Sequence, residues 1–320
     1  MAKKIKWGGL YPATVLPLDR NGRIDEPDLR RLIRFLKGIK GVSGLACNGH
    51  AGDCWGVTSR ERRRIIEIHR EEAGGKFPII AGVTPECTRE AIEGAKEAKA
   101  AGASAVLVMP PGIFRNISVQ SSDAPYAFFS EIAGAVDIPI VVFQHPVFRQ
   151  NNYNAATLAR LTEIENIVAV KDAVWDLKLY ERDLAALRQA PRRIAILTAN
   201  DTLLYPSFCL GDSDGALIGF GTLAPHWMVD MYEAVKRGDL KRGQELNRRI
   251  FPIIELLYHT PGLNAHAAIK EALYMLGVLT KPCVSRSPQR AVTEKEKETL
   301  GRALKESGLA EFYGKLDITA

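Results

Sequence analysis

The chain has 320 residues, 46% hydrophobic and 25% charged, with a formal net charge of +6. That composition belongs to a folded protein with ample material for a large core, and it excludes disordered, collagenous and disulfide-stapled chains. Charges of both signs interleave, as in Arg60-Glu61-Arg62 and Glu294-Lys295-Glu296-Lys297, which reads as solvated helix faces and not as a nucleic-acid surface.

Short apolar runs predict strands at residues 10–16, 43–47, 78–82, 105–109, 139–143, 167–171, 194–199 and 215–218. Helical spacing of apolar residues lies between them at 26–36, 60–69, 91–101, 155–164 and 183–189. Strand and helix alternating in this way imply parallel strands joined by right-handed crossovers. Closure into a (β/α)8 TIM barrel, an α/β fold, is the economical arrangement. An open doubly wound sheet is the alternative, but no Gly-x-Gly-x-x-Gly follows the first strand and no Walker-type loop occurs. After Gly221 the pattern becomes helical, at 225–237, 240–259, 264–276 and 293–307, with Thr293 and Glu296 spaced as a capping box. The expected organisation is a barrel over 1–224 and a C-terminal helical region over 225–320.

The five cysteines (47, 54, 87, 209 and 283) are scattered without a Cys-x-x-Cys pair, which points to reduced thiols and no structural zinc. The start, Met1 to Trp7, is basic without a following apolar core, and no stretch has the length and apolarity of a membrane span. A cytoplasmic location is expected, with neither membrane nor nucleic acid as partner.

Lys171 is the most informative residue. It ends the run Ile167-Val168-Ala169-Val170-Lys171, where a buried strand stops. A lysine there is costly as structure, because an ammonium loses its hydration. It makes sense as chemistry: desolvation favours the neutral amine, which attacks a carbonyl to form a Schiff base. Catalytic groups of such barrels stand at the C-terminal ends of strands. The end of the second strand carries Gly49-His50-Ala51-Gly52-Asp53, and the end of the fifth carries Phe143-Gln144-His145-Pro146. The first suits a tight turn whose backbone N–H groups cradle a small anion such as a carboxylate.

These residues resemble the dihydrodipicolinate synthase and N-acetylneuraminate lyase superfamily of class I, Schiff-base-forming aldolases, over roughly residues 7–305. The family's lysine motif, Asn-Ile-Val-Gly-Ile-Lys-Glu-Ala, stands here as Asn166 to Ala173. Its Gly-Thr-Thr-Gly-Glu loop corresponds to residues 49–53, followed by Thr58, Glu61 and Arg62 in place of its Leu-Thr-x-x-Glu-Arg, and Ala224-Pro225 and Lys270-Glu271-Ala272-Leu273 fall in similar context. The resemblance implies a lysine imine of a 2-oxo acid of pyruvate type, no metal or organic cofactor, and a homotetramer or its dimer half.

The departures are as informative. The family's proton-relaying tyrosine falls at Phe143, its loop threonines at His50 and Ala51, and the tyrosine pair after the fourth strand at Pro111-Gly112. The arginine that the synthases use for a second carboxylate has only an offset counterpart, Arg149. Lysine biosynthesis is therefore not the expected role. His50 and His145 are the candidates to move protons, since imidazole titrates near neutrality. Asp53 is expected to anchor its loop. Gly49, Ala51, Phe143, Gln144 and Gly219 are expected to bind substrate. His69, His226, His259 and His266 lie in helical stretches and are read as structural. Trp55, Phe114, Phe143, Phe148 and Trp175 lie near strand ends and suggest a substrate less polar than a sugar acid. The expected activity is that of a lyase, by aldol cleavage or condensation at a C3–C4 bond. Dehydratase or hydratase-aldolase chemistry through the same imine is one alternative, and non-catalytic binding of a 2-oxo acid is another.

Overall fold

The computed structural model describes residues 5, 7–114, 121–145 and 153–316. Eight short strands, β1 (Gly9–Pro12), β2 (Leu45–Cys47), β3 (Ile79–Val83), β4 (Ala105–Val108), β5 (Ile140–Gln144), β6 (Ile167–Asp172), β7 (Ala195–Thr198) and β8 (Gly215–Ile218), pair in parallel in the order β1-β8-β7-β6-β5-β4-β3-β2. Parallel bridges from Leu10 to Val42 and from Ala13 to Ala46 bring β1 back to β2 and close the cylinder. The expected (β/α)8 barrel is the observed fold.

Alternation along each strand divides the side chains between two layers. Tyr11, Ala46, Ile80, Leu107, Val141, Ala169, Leu197 and Leu217 fill the interior. Branched neighbours such as Leu45, Ile79, Val106, Val142 and Val170 face the helices and form the larger core. The register sets Phe143 beside Lys171 and Gln144 beside Asp172. Phe143 and Lys171 thus share the inner face, and Gln144 and Asp172 the outer one.

The surrounding helices are α1 (Glu26–Gly38), α2 (Ser59–Ala73), α3 (Thr88–Ala100), α4 (Asp123–Ala135), α5 (Ala155–Leu161), α6 (Leu177–Arg188), α7 (Leu204–Cys209) and α8 (Pro225–Lys236). Their starts follow from local chemistry. Asp25 caps α1 by accepting from the Asp28 N–H, Thr58 and Glu61 form a capping box on α2, and Pro225 opens α8. Helix α4 escapes the periodicity because its buried Pro125, Phe128, Phe129 and Ile132 stand among further apolar residues. The six-residue α7 is too short to show one.

Helix α8 was assigned by its sequence pattern to the C-terminal region. It packs on β1 and α7, and the Tyr232 hydroxyl donates to the Asp214 carbonyl at 2.6 Å. The chain continues in α9 (Leu240–His259), against which α8 packs most extensively. Then follow α10 (Ala265–Met275), α11 (Glu294–Glu306) and α12 (Leu309–Tyr313). The capping box of Thr293 and Glu296 is present on α11. Among the described residues no helix is long and apolar enough to cross a membrane.

Candidate active site at the barrel mouth

The pleat of β6 turns Lys171 inward at the C-terminal end of the cylinder, where it is 5% exposed. Its Nζ lies 4.0 Å from the centroid of the Phe143 ring on the neighbouring strand. Burial pushes the amine down to about 8, against an opposing pull from the Asp201 carboxylate. The amine opens into a cavity of about 230 Å³ whose walls include His50, Ala51, His145, Trp175, Asp201, Gly219, Tyr258 and His266. A groove of about 380 Å³ elsewhere, beside Arg62, Arg63, Glu90 and Glu93, contains no nucleophile of this kind.

The turn after β2 forms one wall. Asn48 and Asp53 are left-handed, at φ 55° and 53°, and bracket a single 3₁₀ turn, His50–Gly52. The turn can lie this close to β3 only because Gly82 has no side chain: a Cβ there would stand 2.2 Å from the Asn48 carbonyl oxygen. Asp53 points away from the cavity and pairs with the buried Lys270 of α10 at 3.0 Å. It anchors the loop, as expected, and ties it to the helical extension.

The His50 ring meets three others edge-on, with centroids 4.9 Å from Trp55, 5.4 Å from His145 and 4.6 Å from His266. Burial holds all three imidazoles neutral. It lowers His145 to about 3 and His266 to about 4, and it pushes His50 well below its ordinary range, helped by the neighbouring His266, His145 and Lys171. At neutral pH these rings are hydrogen-bonding groups and weak bases, not stores of a proton.

Of the residues singled out by sequence, Lys171, His50, His145, Ala51, Phe143 and Gly219 converge on the cavity. Gly49 lies behind the turn, over Leu107 of the interior plug. Gln144 corrects an expectation. One residue beyond Phe143, it points outward, donates to Asp183 and accepts the Tyr153 N–H at 2.8 Å, so it does not reach substrate. Phe114 also departs from expectation, packing on Phe128 and Tyr153 among the helices. Trp175 lines the cavity, and Trp55 stands at its rim, 40% exposed. Pro146, Phe148 and Arg149 lie outside the described residues. His69 is structural, with its Nε2 at 3.1 Å from the Thr14 hydroxyl and its Nδ1 at 2.8 Å from the Ile65 carbonyl oxygen.

Three site groups were not anticipated. His266 comes from the first turn of α10 and Tyr258 from the last turn of α9. Asp201 follows β7, where Asn200 shapes the turn by accepting from the Thr202 and Leu203 N–H groups. Asp201 accepts the Phe220 N–H at 3.2 Å and interacts electrostatically with Tyr258, which lines the same cavity. Burial raises its carboxyl to about 7. The local signal for Asp201 was its place just past a strand end, while Tyr258 and His266 offered no local signal.

Comparison with known proteins finds relatives along nearly the whole chain. The model of the dihydrodipicolinate synthetase family matches residues 6–307. The 4-hydroxy-tetrahydrodipicolinate synthase of Moorella thermoacetica is 32% identical over 305 residues, which span 95% of this chain and all of that protein. The crystal structure of dihydrodipicolinate synthase from Thermotoga maritima superposes with a TM-score of 0.86 at 28% identity, covering 95% of this chain and 99% of that one. The chloride-inhibited synthase from Acinetobacter baumannii, complexed with pyruvate, gives a TM-score of 0.82 at 27% identity, with the same coverage.

Proposed function

This chain belongs to the dihydrodipicolinate synthetase family, and we propose that it is a Schiff-base-forming lyase that makes or breaks the C3–C4 bond of a 2-oxo acid of pyruvate type. The observation that carries this reading is the Lys171 amine, buried at the strand end, lowered to about 8 and opening into a cavity. A neutral amine there attacks the C2 ketone, water leaves, and the iminium becomes the electron sink for bond cleavage. The substrate carboxylate is assigned to the backbone of the His50–Gly52 turn, where fixed dipoles meet negative charge without reorganisation.

The aldehyde end of the substrate faces Phe143, Trp175 and the ring of His50, with Trp55 at the rim. These surfaces favour an apolar or aromatic fragment over a polyhydroxylated one. Phe143 has no proton to give, and Pro111-Gly112 stands where the family's tyrosine pair is expected. Both argue against the reaction for which the curated relatives are named.

The test is borohydride reduction in the presence of pyruvate, followed by peptide mass spectrometry. The expected result is a mass gain confined to the peptide carrying Lys171. Reversible pyruvate binding without a trapped adduct would favour a non-catalytic binding protein. Product analysis on 4-hydroxy-2-oxo acids with an aromatic C4 substituent separates an aldolase, which releases an aldehyde, from a dehydratase, which releases water and keeps the carbon chain.

A further inference from the structure

We propose that Tyr258, paired with Asp201, is the catalytic proton relay that occupies the role left vacant by Phe143. This deepens the Schiff-base reading and rests on it. Imine chemistry at Lys171 needs a group that takes the proton of the C4 hydroxyl as C3–C4 breaks, and one that later gives a proton to C3 of the enamine. Phe143, whose ring centroid lies 4.0 Å from the amine, cannot do either.

Tyr258 reaches the same cavity from another element, at the end of α9. Its hydroxyl lies 3.1 Å from the point where a Cβ on Gly219 would stand, and that same point is 3.6 Å from the Ala51 Cβ and 3.9 Å from the His266 Nε2. Only the space kept open by Gly219 separates the hydroxyl from the turn assigned to the carboxylate. Asp201 lines the same cavity, interacts electrostatically with Tyr258, and has its Oδ1 fixed by the Phe220 N–H at 3.2 Å. A phenol alone is a poor base, and burial raises Tyr258 well above its ordinary range. A phenol beside a carboxylate accepts one proton while passing on its own. The Asp201 carboxyl, raised to about 7, suits that exchange near neutrality.

The C4 hydroxyl proton passes to the Tyr258 oxygen, and the Tyr258 proton passes to Asp201. The C3–C4 pair moves into the C2–C3 bond and neutralises the iminium, and C4 leaves as an aldehyde. In return, Asp201 reprotonates Tyr258 as Tyr258 protonates C3. Water then hydrolyses the imine, freeing pyruvate and Lys171.

The reverse of the last proton transfer is measurable without knowing the substrate. The full-length protein is incubated with pyruvate in D2O and deuteration of the C3 methyl is followed by NMR, with borohydride trapping at Lys171 scored in parallel. Tyr258→Phe is expected to slow exchange by about 100-fold and Asp201→Asn by at least about tenfold, with trapping at the wild-type extent. The proposal is overturned if Tyr258→Phe exchanges within about threefold of wild type, if the wild type traps pyruvate without exchanging its methyl protons, or if the variant loses trapping and exchange together. Failure of the wild type to trap pyruvate at all is a separate outcome, and it removes the Schiff-base reading along with the relay.

Discussion

Lys171 and Phe143, side by side on the inner faces of β6 and β5, hold the amine 4.0 Å from an aromatic centroid. The ring excludes water from one side of the nitrogen, and its π-face offers partial compensation while the nitrogen is charged. Desolvation wins, leaving the amine at about 8.

Lys171→Ala is expected to abolish turnover and adduct formation while the protein stays folded, since removing a buried charge relieves desolvation. Circular dichroism and trapping measured together check both halves. A variant that retains most of the activity would rule out the covalent route.

Imine formation is expected to accelerate as pH rises through about 8, because the reactive species is the deprotonated amine. At pH 6 only about 1% of the nitrogen is neutral. Pre-steady-state trapping from pH 6 to 9 measures this, and a rate still climbing about tenfold per pH unit between pH 8 and 9 would contradict a lysine lowered to about 8.

Phe143→Tyr is expected to give no large gain, because in the proposed mechanism Tyr258 moves the proton. Steady-state rates on 4-hydroxy-2-oxo acids test it. An increase of about tenfold or more would show that the missing hydroxyl was limiting.

Asp172 and Asp183 form a buried carboxyl pair on the outer face of β6, beside Gln144 and Tyr180. Burial raises both, Asp172 well above its ordinary value with the neighbouring Asp183 adding to the rise, and Asp183 to about 7. A carboxyl raised above its unfolded value of 3.8 keeps a proton in the folded state that the unfolded chain has lost. Its contribution is full below about 4 and lost as pH rises through about 7. Asp183→Asn supplies that hydrogen permanently. It is expected to stabilise the protein above pH 7 by roughly 1–3 kcal/mol and to flatten its pH dependence there, as read by denaturant titration at pH 5 and 8.

Lys270→Met leaves Asp53 charged and buried beneath the His50–Gly52 turn. A loss of roughly 3–5 kcal/mol is expected, and the double variant with Asp53→Asn should recover much of it. A double-mutant cycle by thermal unfolding measures the coupling, and additive losses would deny that the pair acts as a unit.

Much of this was legible along the chain. The strand-like runs fall on the observed strands to within a few residues, because parallel strands buried on both faces must be continuously apolar. Lys171 stood out because a charge at the end of such a run contradicts its surroundings. Gln144 was misplaced for a reason of one residue: pleating sends neighbours to opposite faces, and only the register settles which face is inner.

The sequence alone determined the alternation, the placement of Lys171 at a strand end and the absence of a hydroxyl at Phe143. It could not assemble the rest of the mouth. Tyr258 and His266 belong to helices that follow the last strand, 87 and 95 positions after Lys171, and Tyr258 meets Asp201 only when the end of α9 reaches the barrel mouth. Ordinary helical residues carry no local mark of what they will face, so the closure of the cylinder and the return of the C-terminal helices decided which groups meet the amine.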